Sequence, residues 1–163
     1  MKEFRAEGRG EVTDESMIGR EIRSYGDSWT TPDGFIAYLA DLHAESLEET
    51  PRASWLVPAT TLWWMSGTDY FGRLAIRHRL TRLLLEAGGH VGYDVRPTAR
   101  GRGYATAMLR AALPIAHSLG IDPALITCDD DNVVSRRVIE ANGGVYEDQR
   151  GLKLRFWVPT SAG

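Results

Sequence analysis

The sequence has little of what marks secreted, membrane or metal-binding proteins. Cys128 is the only cysteine among 163 residues, so an internal disulfide and a thiolate-rich metal site are both excluded. No apolar run approaches the length of about 18 residues typical of a membrane-spanning helix, and residues 1–16 carry scattered charges where a secretion signal has an apolar core. These absences predict a cytoplasmic protein with no metal and no membrane partner.

The chain also lacks an excess of positive charge. It has 19 Lys+Arg and 22 Asp+Glu, a formal net charge of −3. Binding to nucleic acid by counterion release needs a basic surface, so we expect no nucleic-acid partner. With 43% hydrophobic and 25% charged residues, the composition is that of an ordinary globular protein. The length favours a single domain over residues 1–163.

Periodicity and turn residues predict a mixed α/β (α+β) chain. The predicted elements are a short helical start and a long loop over residues 1–31, a helix over 32–48, a hairpin of TTLWWM and RLAIRHRL, a strand over 90–95, a helix over 103–119, a strand over 124–128, a helix over 132–141 and a closing hairpin over 145–158. Pro114 predicts a kink in its helix. This order places helices around one sheet without internal repeats.

The stretch HVGYDVRPTARGRGYATAML is the most informative part of the sequence. A strand leads through a proline turn to Gly101 and Gly103, and a helix follows. Glycines permit close backbone approach, and the helix N-terminus adds about half a positive charge. Arg100 and Arg102 add full charges, so the pattern indicates an anion site suited to a pyrophosphate. The spacing matches neither a Walker loop nor the three-glycine dinucleotide pattern, and an ordinary helix cap is the alternative.

A second motif follows the next predicted strand. Asn132-Val-Val-Ser135 opens a helix, and Glu140-Ala-Asn-Gly143-Gly144 ends it. In this order the two motifs resemble the GNAT superfamily of N-acetyltransferases, whose pattern Arg/Gln-x-x-Gly-x-Gly/Ala is met by Arg100, Gly103 and Ala105. The stretches AIRHRLTRLLLEAGGHVGYDVRP and ITCDDDNVVSRRVIEANGG are similar to a bacterial subgroup of predicted acetyltransferases. The resemblance extends from about Trp55 to Tyr146.

The resemblance implies a mostly antiparallel sheet with flanking helices and two splayed central strands, and acetyl-CoA as cosubstrate. The resemblance implies that the backbone of Tyr93, Asp94 and Val95 pairs with the pantetheine arm. It implies that the pyrophosphate is bound by Arg100 and by the amides of Gly101, Arg102, Gly103, Tyr104 and Ala105. It also implies that Asn132 hydrogen-bonds the pantetheine and that Ser135 lies near the thioester sulfur. For Asn132 and Ser135, a local helix cap is the alternative.

The resemblance and the strand pattern together indicate candidate catalytic groups. Many GNAT members carry a tyrosine four residues after the serine, as acid toward the thiolate, and here that position is Ile139. A thiol with a pKa of about 8.5 can leave with help from Ser135 or water. The attacking ammonium must lose a proton, and His90 and Asp94, on one face of their strand by alternation, are the candidate bases. An alternative role for His90 is structural.

Four other features carry weaker indications of chemistry. His78 is a candidate for substrate contact, and the carboxylates of Asp129, Asp130 and Asp131 either attract a cationic amine or form a solvated loop. Cys128 is either an acyl-carrying nucleophile or a small buried residue. Trp63-Trp64 indicates a strand.

We therefore expect an N-acetyltransferase that moves an acetyl group from acetyl-CoA to a small-molecule or peptide amine by direct attack in a ternary complex. The alternatives are a non-catalytic acyl-CoA-binding module and a nucleotide-phosphate binder. We also expect a shortened N-terminal part, since residues 2–8 look like the tail of a first helix. The exposed sheet edge would then be taken either by the Trp- and Thr-rich run after Ser54 or by a second subunit in a homodimer.

Overall fold

Six strands form one sheet in the computed structural model, which describes residues 1–161. The strands are β1 (Ala59–Ser66), β2 (Asp69–Arg77), β3 (Val91–Val95), β4 (Ala124–Asp129), β5 (Val145–Arg150) and β6 (Lys153–Val158). Their order across the sheet is β1-β2-β3-β4-β6-β5. The pair β3 and β4 is parallel, and the other four neighbouring pairs are antiparallel. The predicted fold class, a mixed and mostly antiparallel sheet with flanking helices, is confirmed.

Helices cover both faces of this sheet. They are α1 (Lys2–Ala6), α2 (Met17–Tyr25), α3 (Pro32–Ser46), α4 (Tyr104–Ser118) and α5 (Val133–Glu140), with single helical turns at Ser28–Thr30, Leu84–Gly88 and Pro97–Ala99. Leu74 and Ile76 of β2 share the main core with Met108 and Leu109 of α4. Since side chains alternate along a strand, Arg73 points to the opposite face, where it pairs with Glu21 of α2. None of these helices is long and apolar enough to cross a membrane.

The N-terminal segment contains a helix where the sequence predicts a loop. The hydroxyl of Ser16 caps α2 by accepting a hydrogen bond from the Gly19 amide at 3.1 Å. Ile18 and Ile22, one helical turn apart, are buried together with Phe4 of α1. Ile18, Ile22 and Tyr25 follow the spacing of one helix face, and Ser16 is a good N-cap. The sequence therefore carried the signal of this helix, and the prediction of a loop overlooked it.

The remaining elements agree with the predictions, with shifted ends. Helix α3 ends two residues before the predicted end, and α4 continues through Pro114. Strand β2 begins at Asp69 and ends at Arg77, whereas the run RLAIRHRL begins at Arg73 and extends three residues further. The Trp- and Thr-rich run forms β1 at one edge of the sheet, the first of the two predicted alternatives.

The central strands β3 and β4 separate soon after they meet. Their register contains one pair of partners, Val91 with Ile126, whereas β3 remains paired with β2 as far as Val95 opposite Gly72. Two hydrogen bonds hold the junction: the His90 amide donates to the Leu125 carbonyl at 2.6 Å, and the Leu125 amide donates to His90 Nδ1 at 2.9 Å. Beyond this junction, the side of β3 that faces β4 has no strand partner within residues 1–161.

Candidate functional site

A cavity of about 1170 Å³ opens where β3 leaves β4. Its walls are the end of β3, the loop before α4, the first turns of α5 and part of the N-terminal segment. Of the predicted site residues, those lining it are Tyr93, Asp94, Val95, Arg100, Gly101, Gly103, Tyr104, Ala105, Asn132 and Ser135. The tertiary structure therefore brings the two sequence motifs together around one space.

The loop before α4 presents unused backbone donors to this cavity. Gly101 and Gly103 have φ of +73° and +78°, and a Cβ added at either would meet no atom within 4 Å. In the described part of the chain, no amide from Gly101 to Thr106 donates a hydrogen bond to another protein group. The 15-residue helix α4 begins here without a side-chain cap. Converging free amides and the positive end of a helix dipole favour an anion.

Arg100 and Arg102 were both expected to add positive charge at the pyrophosphate, but neither side chain is free in the cavity. The Arg100 guanidinium forms a fork with the Glu7 carboxylate, with N–O distances of 2.6 and 2.7 Å, and its Nε donates to the Val95 carbonyl at 3.1 Å. Arg102 is exposed and does not line the cavity. The Tyr104 ring stacks on Phe71 with centroids 4.7 Å apart. The backbone amides are therefore the groups of this loop that are left for an anion, and Arg100 fastens the N-terminal segment to the loop.

The first turn of α5 contacts the side chain of Tyr93. Asn132 caps the helix, because its Oδ1 accepts a hydrogen bond from the Ser135 amide at 3.0 Å. The Tyr93 and Ser135 hydroxyl oxygens lie 2.7 Å apart, and Tyr93 Oη is 3.3 Å from the Ser135 carbonyl oxygen. Burial raises the pKa of Tyr93 to about 12. The sequence prediction assigned Tyr93 only a backbone role and did not foresee this pair of hydroxyl groups.

Acidic and basic side chains line the part of the cavity next to the N-terminal segment. Asp94 lies there with Glu7, Arg9 and Asp14. Burial raises the pKa of Asp94, with Arg9 and Arg73 acting in the opposite direction. The Asp14 carboxylate accepts hydrogen bonds from the amides of Gly10 and Ser16, both at 3.0 Å. Arg9 pairs with Asp14 and Arg100 with Glu7, so Asp94 is the carboxyl group at this end that has no arginine partner among the described residues, and burial increases its basicity.

Sequence reasoning missed these N-terminal residues, because residues 7–14 have neither a periodic pattern nor a motif. It also missed Val134, Val138 and Ala141, which line the cavity from α5. Their spacing of four and three residues is that of one helix face. That spacing is the signal by which this wall of the cavity could have been found.

His90, one of the two candidate bases, lies outside the cavity. Its side chain is buried, and its Nδ1 accepts the hydrogen bond from the Leu125 amide. Burial, assisted by Arg77, lowers the pKa of His90 from 6.5 to about 4. A neutral imidazole that accepts a backbone hydrogen bond stabilises the β3–β4 junction. The structure therefore assigns His90 the structural role, and Asp94 is the candidate base that lines the cavity.

The weaker candidates also lie away from the cavity. His78 Nε2 is 2.8 Å from the Thr60 hydroxyl, and Lys153 donates to Asp129 at 2.6 Å. Cys128 is buried, and desolvation raises the pKa of its thiol, which disfavours a nucleophilic thiolate. Within residues 1–161, no three His, Cys, Asp or Glu side chains are grouped in a way that would hold a metal ion.

Ile139 faces the protein core. Its side chain is fully buried, and a Cβ added at Gly144 would lie 2.5 Å from Ile139 Cγ2. The position that carries the catalytic tyrosine in many GNAT members therefore points away from the cavity in this chain. Helix α5 contributes Ser135 to the cavity but no phenol.

The sequence matches the family model described as "Acetyltransferase (GNAT) domain" over residues 9–145. No curated protein sequence gives a significant match.

Solved structures with a similar fold include three bacterial acetyltransferases. The ribosomal-protein-S5-alanine acetyltransferase from Vibrio fischeri has a TM-score of 0.57 and 16% identity, covering 96% of this chain and 81% of its own. The N-acetyltransferase PseH from Campylobacter jejuni, solved with acetyl coenzyme A, has a TM-score of 0.53 and 13% identity, covering 93% and 95%. The putative acetyltransferase YncA from Salmonella typhimurium, solved with acetyl-CoA, has a TM-score of 0.53 and 15% identity, covering 80% and 75%. At these identities the likeness shows a shared fold.

The assignment of His90 predicts a pH-dependent stability. Because its folded pKa of about 4 lies below its ordinary value of 6.5, the unfolded chain binds a proton more readily than the folded chain. The free energy of unfolding should therefore fall as pH decreases from about 6.5 to about 4. Urea unfolding at several pH values measures this slope. His90→Gln should be less stable at neutral pH and should have a smaller slope across that window. An unchanged slope would contradict the assignment.

The burial of Ile139 predicts that a phenol cannot be restored to α5. Ile139→Tyr should reduce the free energy of unfolding by about 1–3 kcal/mol, because overpacking a core forces side chains and backbone to shift. Thermal and urea unfolding measure the loss. Ile139→Leu is the control, because a volume-conserving change usually costs less than about 1.5 kcal/mol. An Ile139→Tyr protein of unchanged stability and higher acetyl-transfer rate would show that this position reaches the cavity.

Proposed function

Because the chain belongs to the GNAT acetyltransferase family, we propose that it transfers the acetyl group of acetyl-CoA to a primary amine by direct attack in a ternary complex. One observation carries the proposal. The free amides before α4 and the unpaired side of β3 border the same cavity. These two features match two parts of acetyl-CoA, the pyrophosphate and the amide-containing pantetheine arm.

The pyrophosphate fits the loop before α4. The amides from Gly101 to Ala105 have no other acceptor in the described residues, and the space above both glycines is open. An anion in this place completes the first turn of α4 and interacts favourably with the helix dipole. Arg100 lies at the edge of the loop, where its positive charge is paired with the Glu7 carboxylate.

The pantetheine arm fits the gap between β3 and β4. An extended chain with amide groups can add to a free strand side as another strand would. The backbone of Tyr93, Asp94 and Val95 is paired with β2 on one side only. Across the gap, Asn132 and Ser135 border the same space from α5. An arm in this position places the thioester between the end of β3 and the first turn of α5.

The acceptor amine fits the part of the cavity next to Asp94. The carboxylates of Glu7 and Asp14 are paired with Arg100 and Arg9, so the carboxylate of Asp94 is the group at this end that attracts an ammonium. Asp94 then accepts the proton that the ammonium loses, directly or through water, since burial raises its pKa and makes it a stronger base. The amine nitrogen attacks the acetyl carbon, and the thiolate leaves. Both a small molecule and a peptide amine have this chemistry.

Binding of CoA tests the cofactor half of the proposal. CoA at about 100 times its dissociation constant should raise the free energy of unfolding by about 2.7 kcal/mol, measured by thermal or chemical unfolding. Gly103→Val should abolish this increase, because a branched side chain enters the space of the phosphates. Gly120→Val is the matched control, since Gly120 has φ of +79°, no atom near its added Cβ and a place at the other end of α4.

Both variants place a valine in a left-handed conformation, so both should lose stability without ligand. A CoA effect that survives in Gly103→Val, or that disappears in both variants, would contradict the placement of the pyrophosphate. A wild-type protein that millimolar CoA does not stabilise would refute the proposed cofactor.

The role of Asp94 is tested by the pH dependence of acetyl transfer to a panel of amines. Only the carboxylate form accepts a proton, so the rate should fall as pH decreases through the raised pKa of Asp94. Asp94→Asn should reduce kcat/KM by about 10²-fold or more and remove this acidic limb, as expected for a positioned base. Asp131→Asn, in the exposed loop before α5, is the control and should behave as wild type. Equal losses in both variants would indicate a general charge effect.

The same assay addresses the alternative of an acyl-CoA-binding module. A module binds CoA and forms no acetylated amine with any acceptor in the panel. The buried carboxyl group of Asp94 favours the enzyme, because binding of acyl-CoA alone gives no reason for such a group in the cavity.

A further inference from the structure

The hydroxyl pair of Tyr93 and Ser135 has no role in the account above. Both residues border the cavity, Tyr93 from β3 and Ser135 from the first turn of α5. Their oxygens lie 2.7 Å apart although the residues are 42 positions apart in sequence. Ile139 is fully buried, so α5 supplies no phenol. Tyr93 therefore brings the phenol of a different element to this side of the cavity.

We propose that the Tyr93 hydroxyl, oriented by Ser135, donates a hydrogen bond to the sulfur of acetyl-CoA and stabilises the thiolate as it leaves. This proposal rests on the proposed function, because it takes the thioester to lie between β3 and α5. In the step itself, the nitrogen–carbon bond forms and the carbon–sulfur bond breaks. The electron pair of the broken bond goes to sulfur. Asp94 already holds the proton lost by the ammonium, so the proton released by the attacking nitrogen goes to water, and the thiolate later takes a proton from solvent.

The geometry gives Ser135 an orienting role. Its hydroxyl can donate to the Tyr93 oxygen at 2.7 Å, which leaves the phenol proton free to point elsewhere. The other acceptor near this proton is the Ser135 carbonyl oxygen, at the longer distance of 3.3 Å. A charged sulfur attracts the proton more strongly than a neutral carbonyl does, because hydrogen bonds to ions are about twice as strong as neutral ones.

Tyr93 is suited to donate a hydrogen bond without losing its proton. Burial raises the pKa of Tyr93 to about 12, whereas a thiol titrates near about 8.5. The phenol thus remains protonated throughout the range in which the thiolate forms. Three other titratable or charged groups lie near: Cys128 on β4, Arg137 on α5, and Asp94, whose side chain points from the other face of β3.

The thiol of bound CoA gives a test that needs no acceptor amine. A hydrogen bond to the thiolate should lower the pKa of the bound CoA thiol by about one unit, which corresponds to tenfold preference for the thiolate. Ultraviolet absorbance of the thiolate during a pH titration measures this pKa. Titration of the protein alone supplies the baseline that removes Cys128 and the tyrosines.

Tyr93→Phe should return the thiol pKa to the value of free CoA while changing the dissociation constant of CoA less than threefold at neutral pH. Tyr146→Phe is the matched control: it removes the hydroxyl of an exposed tyrosine that does not line the cavity, and it should keep the lowered pKa. A packing role alone would change CoA affinity without moving the thiol pKa. Wild-type protein that binds CoA with an unshifted thiol pKa overturns this inference, whereas failure to bind CoA overturns the proposed function.

Turnover gives the second measurement. Tyr93→Phe should lower kcat by about tenfold to a hundredfold, somewhat less than removal of one donor from an oxyanion hole, and by the same factor across the neutral range. Ser135→Ala should lose less than tenfold, since it removes only the orienting group. A larger loss in Ser135→Ala than in Tyr93→Phe would make the serine the donor and contradict the proposal, as would full activity of Tyr93→Phe.

Discussion

The early separation of β3 from β4 is the constraint on which the site depends. Neighbouring parallel strands normally exchange backbone hydrogen bonds along their length. Here the pairing is confined to Val91 and Ile126 and to the hydrogen bonds of His90 and Leu125. A buried neutral imidazole fixes the point at which pairing ends. Past that point, backbone groups of β3 are left for a ligand, and the cavity occupies the gap.

Two charged contacts hold the N-terminal segment over the opened sheet. Arg100 forms a bidentate ion pair with Glu7 beside the loop before α4, and the buried Arg73 pairs with Glu21 of α2. The Tyr38 hydroxyl also donates to Glu21, at 2.9 Å. Removing one member of a buried charge pair is costly, because the other charge remains without compensation. These contacts fix the N-terminal segment, which lines the cavity through Glu7 and Asp14, against β2 and the loop before α4.

Tyr93 and Asp94 are adjacent residues of β3, and they line the cavity from opposite faces of that strand. In a closed sheet, alternation would separate the side chains of Tyr93 and Asp94 by the thickness of the strand. Because β4 has moved away, both line the same space. The proposed proton acceptor for the amine and the proposed hydrogen-bond donor for the thiolate are therefore neighbouring residues of β3.

Local patterns in the sequence determined most of the helices and strands and the anion loop. Gly101 and Gly103 are recognisable because a left-handed backbone at a helix start needs glycine, and Asn132 because it caps a helix through its own side chain. Helix α2 was missed although Ile18, Ile22 and Tyr25 follow a helical period after the N-cap Ser16; its packing against Phe4 was visible only in the tertiary structure. The side to which Ile139 turns, the structural use of His90 and the meeting of Tyr93 with Ser135 were decided only by the tertiary structure. Each depends on contacts between residues far apart in the chain, and local spacing carries no information about such contacts.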